Sequence, residues 1–359
     1  MTVLLVSGAG GGGSNNLISG LRALTDGPQI IGTNAERNWL ARSTADVNYL
    51  VARSTEESRY FAQINRIVER ESVDLFIPNN DTEADVVARN KDLVNCRTFL
   101  PSGEATRICR DKFALYELLT AGGVRLAKSV VVEDLSRLSE YFEFLGNPER
   151  VWCRMRTGSG SRGSLPVSSA EQAGFWIGYW NENWGIHHSE FTLSEFLPGR
   201  DFACQSIWQD GKLLICKVCE RIEYLFGRNM PSGTSSSPQF GRLVRDQRVD
   251  QLCAKVIPLV DPRANGVFSM DLKEAADGEP CVTEINAGRF FMITPVFNES
   301  GRHNMAAVYV KTALGQGYEV PESDRFGDIG EEPIYLFRSA DQLPLVLAES
   351  EVERRILLP

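Results

Sequence analysis

Basic excess, histidine and long apolar runs are all scarce in this 359-residue chain, and each shortage removes a class of function. Lysine and arginine number 38 against 47 aspartates and glutamates, a formal net charge of −9. That balance argues against a nucleic-acid or anionic-membrane partner while leaving room for a local basic pocket. No stretch approaches the roughly 18 apolar residues that a membrane span needs, and the start, "MTVLLVSGAG", has no basic segment ahead of its apolar one. A cytoplasmic protein is expected. Of three histidines, His187 and His188 are adjacent; they build no zinc site alone, and no Ser–His or Cys–His constellation accompanies them. Eight cysteines, scattered from Cys96 to Cys281, make no disulfide framework. The Cys-x-x-Cys pair Cys216 and Cys219 lies in "LLICKVCERIEY", which reads as a strand. Its thiols then face opposite sides and behave as small buried hydrophobes.

What is present is ordinary globular material, 43% hydrophobic and 24% charged, in a chain too long for one core. The first hundred residues alternate as an open parallel α/β sheet does. "TVLLVSG", "QIIGTN" and "VDLFIPN" read as strands, with helices near 14–25, 55–70 and 82–93. From residue 108 a helix carries "DKFALYELLTAGG" and ends in glycines. Then follow short strands, a glycine–serine loop at 157–164 and an aromatic helical stretch at 170–188. Trp176, Tyr179, Trp180 and Trp184 recur there at helical spacing, which favours packing over base stacking. "HSEFTLSEFLPG" precedes a hairpin turned at Asp210-Gly211. "GRNMPSGTSSSPQFG" reads as a loop, and the tail after about 318 carries one strand, "PIYLF".

The glycine turn "SGAGGGGSNN" admits three readings: a dinucleotide site, a tight strand-to-helix turn, or a loop lining a substrate pocket. Against the first, the second strand ends in Asn34 where an acid would hold a ribose. "IPNNDTEAD" presents Asp81 and Glu83 at another carboxyl end, and in an open α/β sheet such ends share one crevice.

The segment "VFSMDLKEAADGEPCVTEIN" folds on paper as a hairpin about a two-residue Asp277-Gly278 loop. Asp271 then lies across from Glu284 and Ser269 across from Asn286. Like charges directly opposed are destabilising. A divalent cation between them removes the repulsion, and oxygen ligands suit Mg²⁺; a solvent-facing carboxylate pair is the plain alternative.

With these motifs in order, the chain resembles an ATP-grasp ligase over essentially residues 1–315. The nearest flavour is that of carbamoyl-phosphate synthetase large subunits and related carboxylate–amine ligases. The likeness rests on "DLFIPNNDTEAD", "CRDKFALYELLTAGGV", "VWCRMRTGSGSRG", "LSEFLPGRDF" and "MDLK" followed by "TEIN". It implies an N-terminal open parallel α/β domain (1–107), a two-lobed α+β ATP-grasp domain (108–318, lid about 125–194) and a C-terminal appendage (319–359). It implies ATP and two Mg²⁺ per site, with Mn²⁺ also compatible. By that likeness Lys112 and Arg154 meet the phosphates, with Ser159, Gly160 and Ser161 in the loop over them. Glu195, Phe196 and Leu197 meet adenine, and Asp201 the ribose. Asp271 holds one metal, Glu284 bridges two, and Asn286 holds the second. The family's lysine is Arg154 here, with Met155 in a proline's place, and the usual Asn-Pro-Arg ending is stretched to "NAGR", which loosens the role of Arg289. Arginine keeps the charge and forks onto phosphate. Arg221 is a candidate cation near the transferred phosphate, with a solvated surface arginine as the alternative. Lys217 is a candidate for facing the nucleotide. Gly10, Gly11, Asp81, Glu83 and Arg289 are candidates for the substrate end.

The implied reaction is ADP-forming: a carboxylate becomes an acyl phosphate and an amine displaces phosphate. Carboxyphosphate or carbamoyl-phosphate chemistry from bicarbonate is the runner-up, followed by a catalytically silent ATP-binding module and by a dehydrogenase. Expected partners are small carboxylate and amine substrates, neither nucleic acid nor membrane, and dimers are common among proteins resembling this family.

Overall fold

A computed structural model describes residues 1–351 apart from Asp26, Ser159, Ser236, Asp328, Glu331 and Asp341. Its first sheet has five strands: β1 (Val3–Ser7), β2 (Gln29–Asn34), β3 (Val47–Leu50), β4 (Leu75–Ile77) and β5 (Arg97–Thr98). They run parallel in the order β3-β2-β1-β4-β5. β1 is buried along its whole length, as a central parallel strand covered on both faces must be. The chain reverses its lateral direction between β1 and β4, so their carboxyl ends open a crevice. The glycine turn and Asn79–Asp81 flank it. Asn80 caps the helix Asp81–Arg89 by accepting from Glu83 N, which fixes where Asp81 emerges.

The second sheet, β6 (Ser129–Val131), β7 (Val151–Met155), β8 (Leu165–Val167) and β9 (Phe191–Glu195), is antiparallel in the order β6-β9-β7-β8. On β7, Val151 and Cys153 enter a core with Ile177 and Trp180 of the helix Ala170–Trp184. Period-two alternation therefore turns Trp152 and Arg154 to the other face, where they line a cleft. Trp180 and Trp184 pack ring on ring at 4.5 Å, in accord with the packing reading, and His187 and His188 lie together near the surface.

The third sheet has seven strands in the order β14-β13-β10-β11-β12-β15-β16. These are β10 (Asp201–Gln209), β11 (Lys212–Tyr224), β12 (Pro238–Val244), β13 (Gly266–Glu274), β14 (Pro280–Ala287), β15 (Ile334–Ser339) and β16 (Gln342–Ala348). One face meets the helices Gly103–Arg110, Lys112–Ala121 and Gln247–Val260. The other meets helices Gly12–Arg22, Thr294–Asn298 and Met305–Ala313. Cys216 and Cys219 fall into these two different cores, as strand spacing requires. The β10–β11 turn is the expected two-residue one, with Asp210 at φ 48° and Gly211 at φ 78°. β12 begins inside the Ser/Pro-rich stretch expected to be loop, on a proline that opens the strand, a position that costs no ladder hydrogen bond. The tail supplies two strands, not one, and both extend this sheet.

The β13–β14 hairpin departs from expectation near its tip. Ala275 N donates to Glu279 O and Gly278 N to Ala275 O, so the loop is Ala276–Gly278, one residue longer, with Gly278 at φ 84°. A bulge then intervenes, since Leu272 pairs with Val282 while Asp271 pairs with Glu284. The extra residue, Thr283, restores the register, and Ser269 opposes Asn286. The two one-residue departures cancel. Among the described residues, no helix is long and apolar enough to cross a membrane.

Candidate active site

The three sheets enclose a cleft of about 700 Å³. At one end Trp152 faces Phe196 at 6.3 Å, and Leu119, Leu126 and Val282 add apolar wall. Glu195 Oε2 accepts from Lys128 N at 2.8 Å; Glu195, Phe196 and Leu197 all line this end. Apolar walls with a few placed acceptors are what a buried planar base requires.

Midway, Asp111 caps the helix Lys112–Ala121 and so starts it with Lys112 at the cleft. Lys112 Nζ reaches Gly158 O at 2.8 Å and Glu284 Oε2 at 3.5 Å. Gly160 and Ser161 line the same region; Ser159 lies outside the described residues. Arg154 Nη1 donates to Thr283 O at 3.1 Å. The bulge at Thr283 thus supplies the carbonyl that aims the guanidinium. Burial lowers the Arg154 pKa, while Glu284 and Asp271 work against that.

Opposite these cations stand Asp271, Glu284 and Asn286. Burial raises the Asp271 pKa, which Arg221 offsets and Glu284 reinforces. Arg221 Nη2 is bonded to Asp271, and Arg221 Nη1 donates to Asp201 Oδ1 at 3.1 Å. Burial opposes the charge of Arg221, yet Asp271 and its neighbours hold the pKa well above the usual value. Asn286 Nδ2 donates to Asp271 Oδ2 at 3.0 Å. Two carboxylates and an amide oxygen form a hard donor set that fits Mg²⁺, and each is held by a cation or amide that a metal could relieve. Asp201 also lines the cleft, with Lys273 Nζ at 3.6 Å.

At the far end Arg289 Nε is bonded to Asp81, and its Nη2 donates to Asn286 Oδ1 at 2.6 Å. Gly11, Trp39, Tyr224, Phe291 and Met292 complete this end. Ser269 Oγ donates to Arg289 O, and Asn79 Oδ1 accepts from Phe290 N; these bonds fix the backbone that carries Arg289.

Three candidates fall elsewhere. Lys217 is buried, and its ammonium donates to the carbonyls of Phe297, Ser300 and His303, so it secures that loop and does not line the cleft. Glu83 turns inward to accept from Tyr60 Oη at 2.9 Å, and burial raises its pKa. Gly10 does not line the cleft; with φ at 86°, a Cβ there would sit 1.7 Å from Trp39 O, so it is a packing glycine. Conversely, Lys273 carries a readable signal, two positions beyond Asp271 on the same strand face. Tyr116, one helical turn past Lys112, is similar. Trp39, Tyr224 and Met292 carry none, because their place depends on folding of separate segments.

No family model and no curated protein matches the sequence. Solved structures do match over nearly the whole chain. An L-amino acid ligase from Bacillus licheniformis is 12% identical, with TM-score 0.70, covering 96% of this chain and 81% of that one. The biotin carboxylase domain dimer of Hydrogenobacter thermophilus 2-oxoglutarate carboxylase, solved with MgADP and bicarbonate, is 14% identical, with TM-score 0.69 and coverage of 94% and 74%. A phosphoribosylglycinamide synthetase from Anaerococcus prevotii is 19% identical, with TM-score 0.62 and coverage of 94% and 80%. These neighbours are ATP-grasp ligases, and the chain has the ATP-grasp fold.

Proposed function

We propose that the protein is an ADP-forming ligase joining a carboxylate to an amine through an acyl phosphate. The observation that carries this reading is the sequence of environments along one cleft. An apolar slot with Glu195 leads to the cations Lys112 and Arg154, then to the oxygen cluster Asp271–Glu284–Asn286, and then to Arg221 and Arg289. A nucleotide fits that sequence with its base in the slot and its phosphates between cations and metal ligands. Asp271, Glu284 and Asn286 would hold Mg²⁺, which supplies charge neutralisation at the phosphates.

In this reading Lys112 and Arg154 position the transferred group, and the glycine loop closes the site against water, which an acyl phosphate requires. Arg289, steered by Asp81 and Asn286, orients the substrate carboxylate in line with the γ-phosphorus. Arg221 favours the charged form of Asp271 against the burial that raises its pKa. The reacting oxygen comes from the substrate, so no side-chain nucleophile is required. The division into an N-terminal unit, a grasping unit and a tail, and a dimeric state like that of the carboxylase neighbour, belong to the same proposal.

A screen of amino acids and other carboxylates with amines, following ADP release, tests it. Turnover only with both partners supports the ligase. Turnover with bicarbonate alone favours carboxyphosphate chemistry, the second reading, which the bicarbonate-bound neighbour brings forward. ATP binding without turnover under every pairing would leave only a nucleotide-binding module.

A further inference from the structure

Behind the cleft, two cysteines of the β10–β11 hairpin meet a third from a later helix. Cys204 is on β10, Cys216 on β11 and Cys253 on the helix Gln247–Val260. The strand register sets Cys204 opposite Val218 and Cys216 opposite Ser206, so the two strand thiols are diagonal neighbours on one face. The helix covers that face and lays Cys253 over them. All three are fully buried. Their sulfurs lie within 4.8 Å of one another, with Cys204 Sγ 3.2 Å from Cys216 Sγ. Metal–thiolate bonds of about 2.3 Å to a common centre place three sulfurs about 4 Å apart, so only small side-chain adjustments separate this cluster from a closed three-sulfur site.

We propose that Cys204, Cys216 and Cys253 form a three-coordinate thiolate site for a trivalent thiophilic species of the arsenite class. Two observations choose that class. First, among the described residues the cluster has no fourth Cys, His or carboxylate member, whereas structural zinc takes four ligands. Second, the thiols sit in the apolar cluster that includes Phe202, Val249, Val256 and Phe268. Three thiolates around a monovalent or divalent ion leave a net negative charge there, which burial penalises heavily. Three thiolates around As(III) are neutral. The exchange is balanced without an oxidant: arsenous acid gives up three hydroxyls, the three thiols give up three protons, three S–As bonds form, and three waters leave. Because the site ties the helix Gln247–Val260 to the β10–β11 hairpin, loading stiffens the layer beneath the cleft.

The test uses full-length protein reduced with a phosphine and mixed with arsenite. Native mass spectrometry should show one arsenic gained and three protons lost per folded chain, with a higher melting temperature. Cys253→Ala should weaken binding by more than the ~10-fold that losing an outer-shell partner alone costs, while Cys281→Ser should bind as the unaltered chain does. Because a core variant risks misfolding, a second measurement uses the unaltered chain. Arsenite should protect Cys204, Cys216 and Cys253 together from alkylation in intermediate urea. No arsenic on the folded chain, unchanged binding by Cys253→Ala, or protection of a different set of cysteines overturns the proposal.

Discussion

The two ends of the cleft are built by different means. In the part of the cleft that the proposed function gives to the nucleotide phosphates, Arg154, Asp271, Glu284 and Asn286 project from strands whose alternation and register decide where each side chain points. At the far end, Trp39 comes from the short helix Arg37–Leu40, Phe291 and Met292 come from the connection after β14, and Arg289 follows the end of that strand. Strand geometry is rigid and readable; loops vary freely while the scaffold holds. In the proposed function the chemistry is therefore encoded locally, and the choice of substrate is encoded by assembly.

Substitutions can break or sharpen that contrast. The largest effect is expected at the hairpin. Asp271→Asn or Glu284→Gln should lower ATP turnover by ~10³-fold or more, while melting temperature falls for Asp271→Asn, which strips the buried Arg221 of an ion-pair partner, and changes less for Glu284→Gln, whose partner is Lys112. Turnover and calorimetry measured together check this. Arg154→Lys should cost about 10-fold in kcat, since lysine keeps the charge but not the fork that meets both phosphate and Thr283 O. Arg289→Gln should raise KM for the carboxylate by about 10-fold or more and leave KM for ATP nearly unchanged. Trp39→Ala should act in the same direction but more weakly, several-fold, and shift preference toward bulkier carboxylates. If either far-end variant changed ATP and carboxylate KM equally, the division between the two ends would be lost.

The smallest prediction concerns stability away from both ends. Burial pushes the Asp250 carboxyl up to about 7. Between about pH 4 and 7 the native state keeps a proton that the unfolded chain has released, so stability falls as pH rises through that window. Asp250→Asn should remove the slope and stabilise at pH 8 by about 1–3 kcal/mol, as denaturant titrations at two pH values would report.

How much was legible follows the same division. The parallel sheet, the Asp210-Gly211 turn and the Asp271–Glu284 pairing could be read because each rests on spacing within one short segment. The pairing came out right through two offsetting departures, a longer loop and the Thr283 bulge, so its legibility owed something to cancellation. β12 was hidden by its serine- and proline-rich approach. Lys217 was misplaced because a strand pattern says which face a side chain takes but not what covers that face, here three carbonyls of the 297–303 loop. Glu83 was misplaced because its partner, Tyr60, comes from a separate helix.

The most direct test of the central claim follows oxygen. A carboxylate labelled with ¹⁸O, an amine and Mg·ATP are incubated with the protein, and the products are analysed by mass spectrometry. The account predicts ADP, an amide-like product and inorganic phosphate carrying one ¹⁸O from the acid. AMP with pyrophosphate, or phosphate without the label, would contradict it.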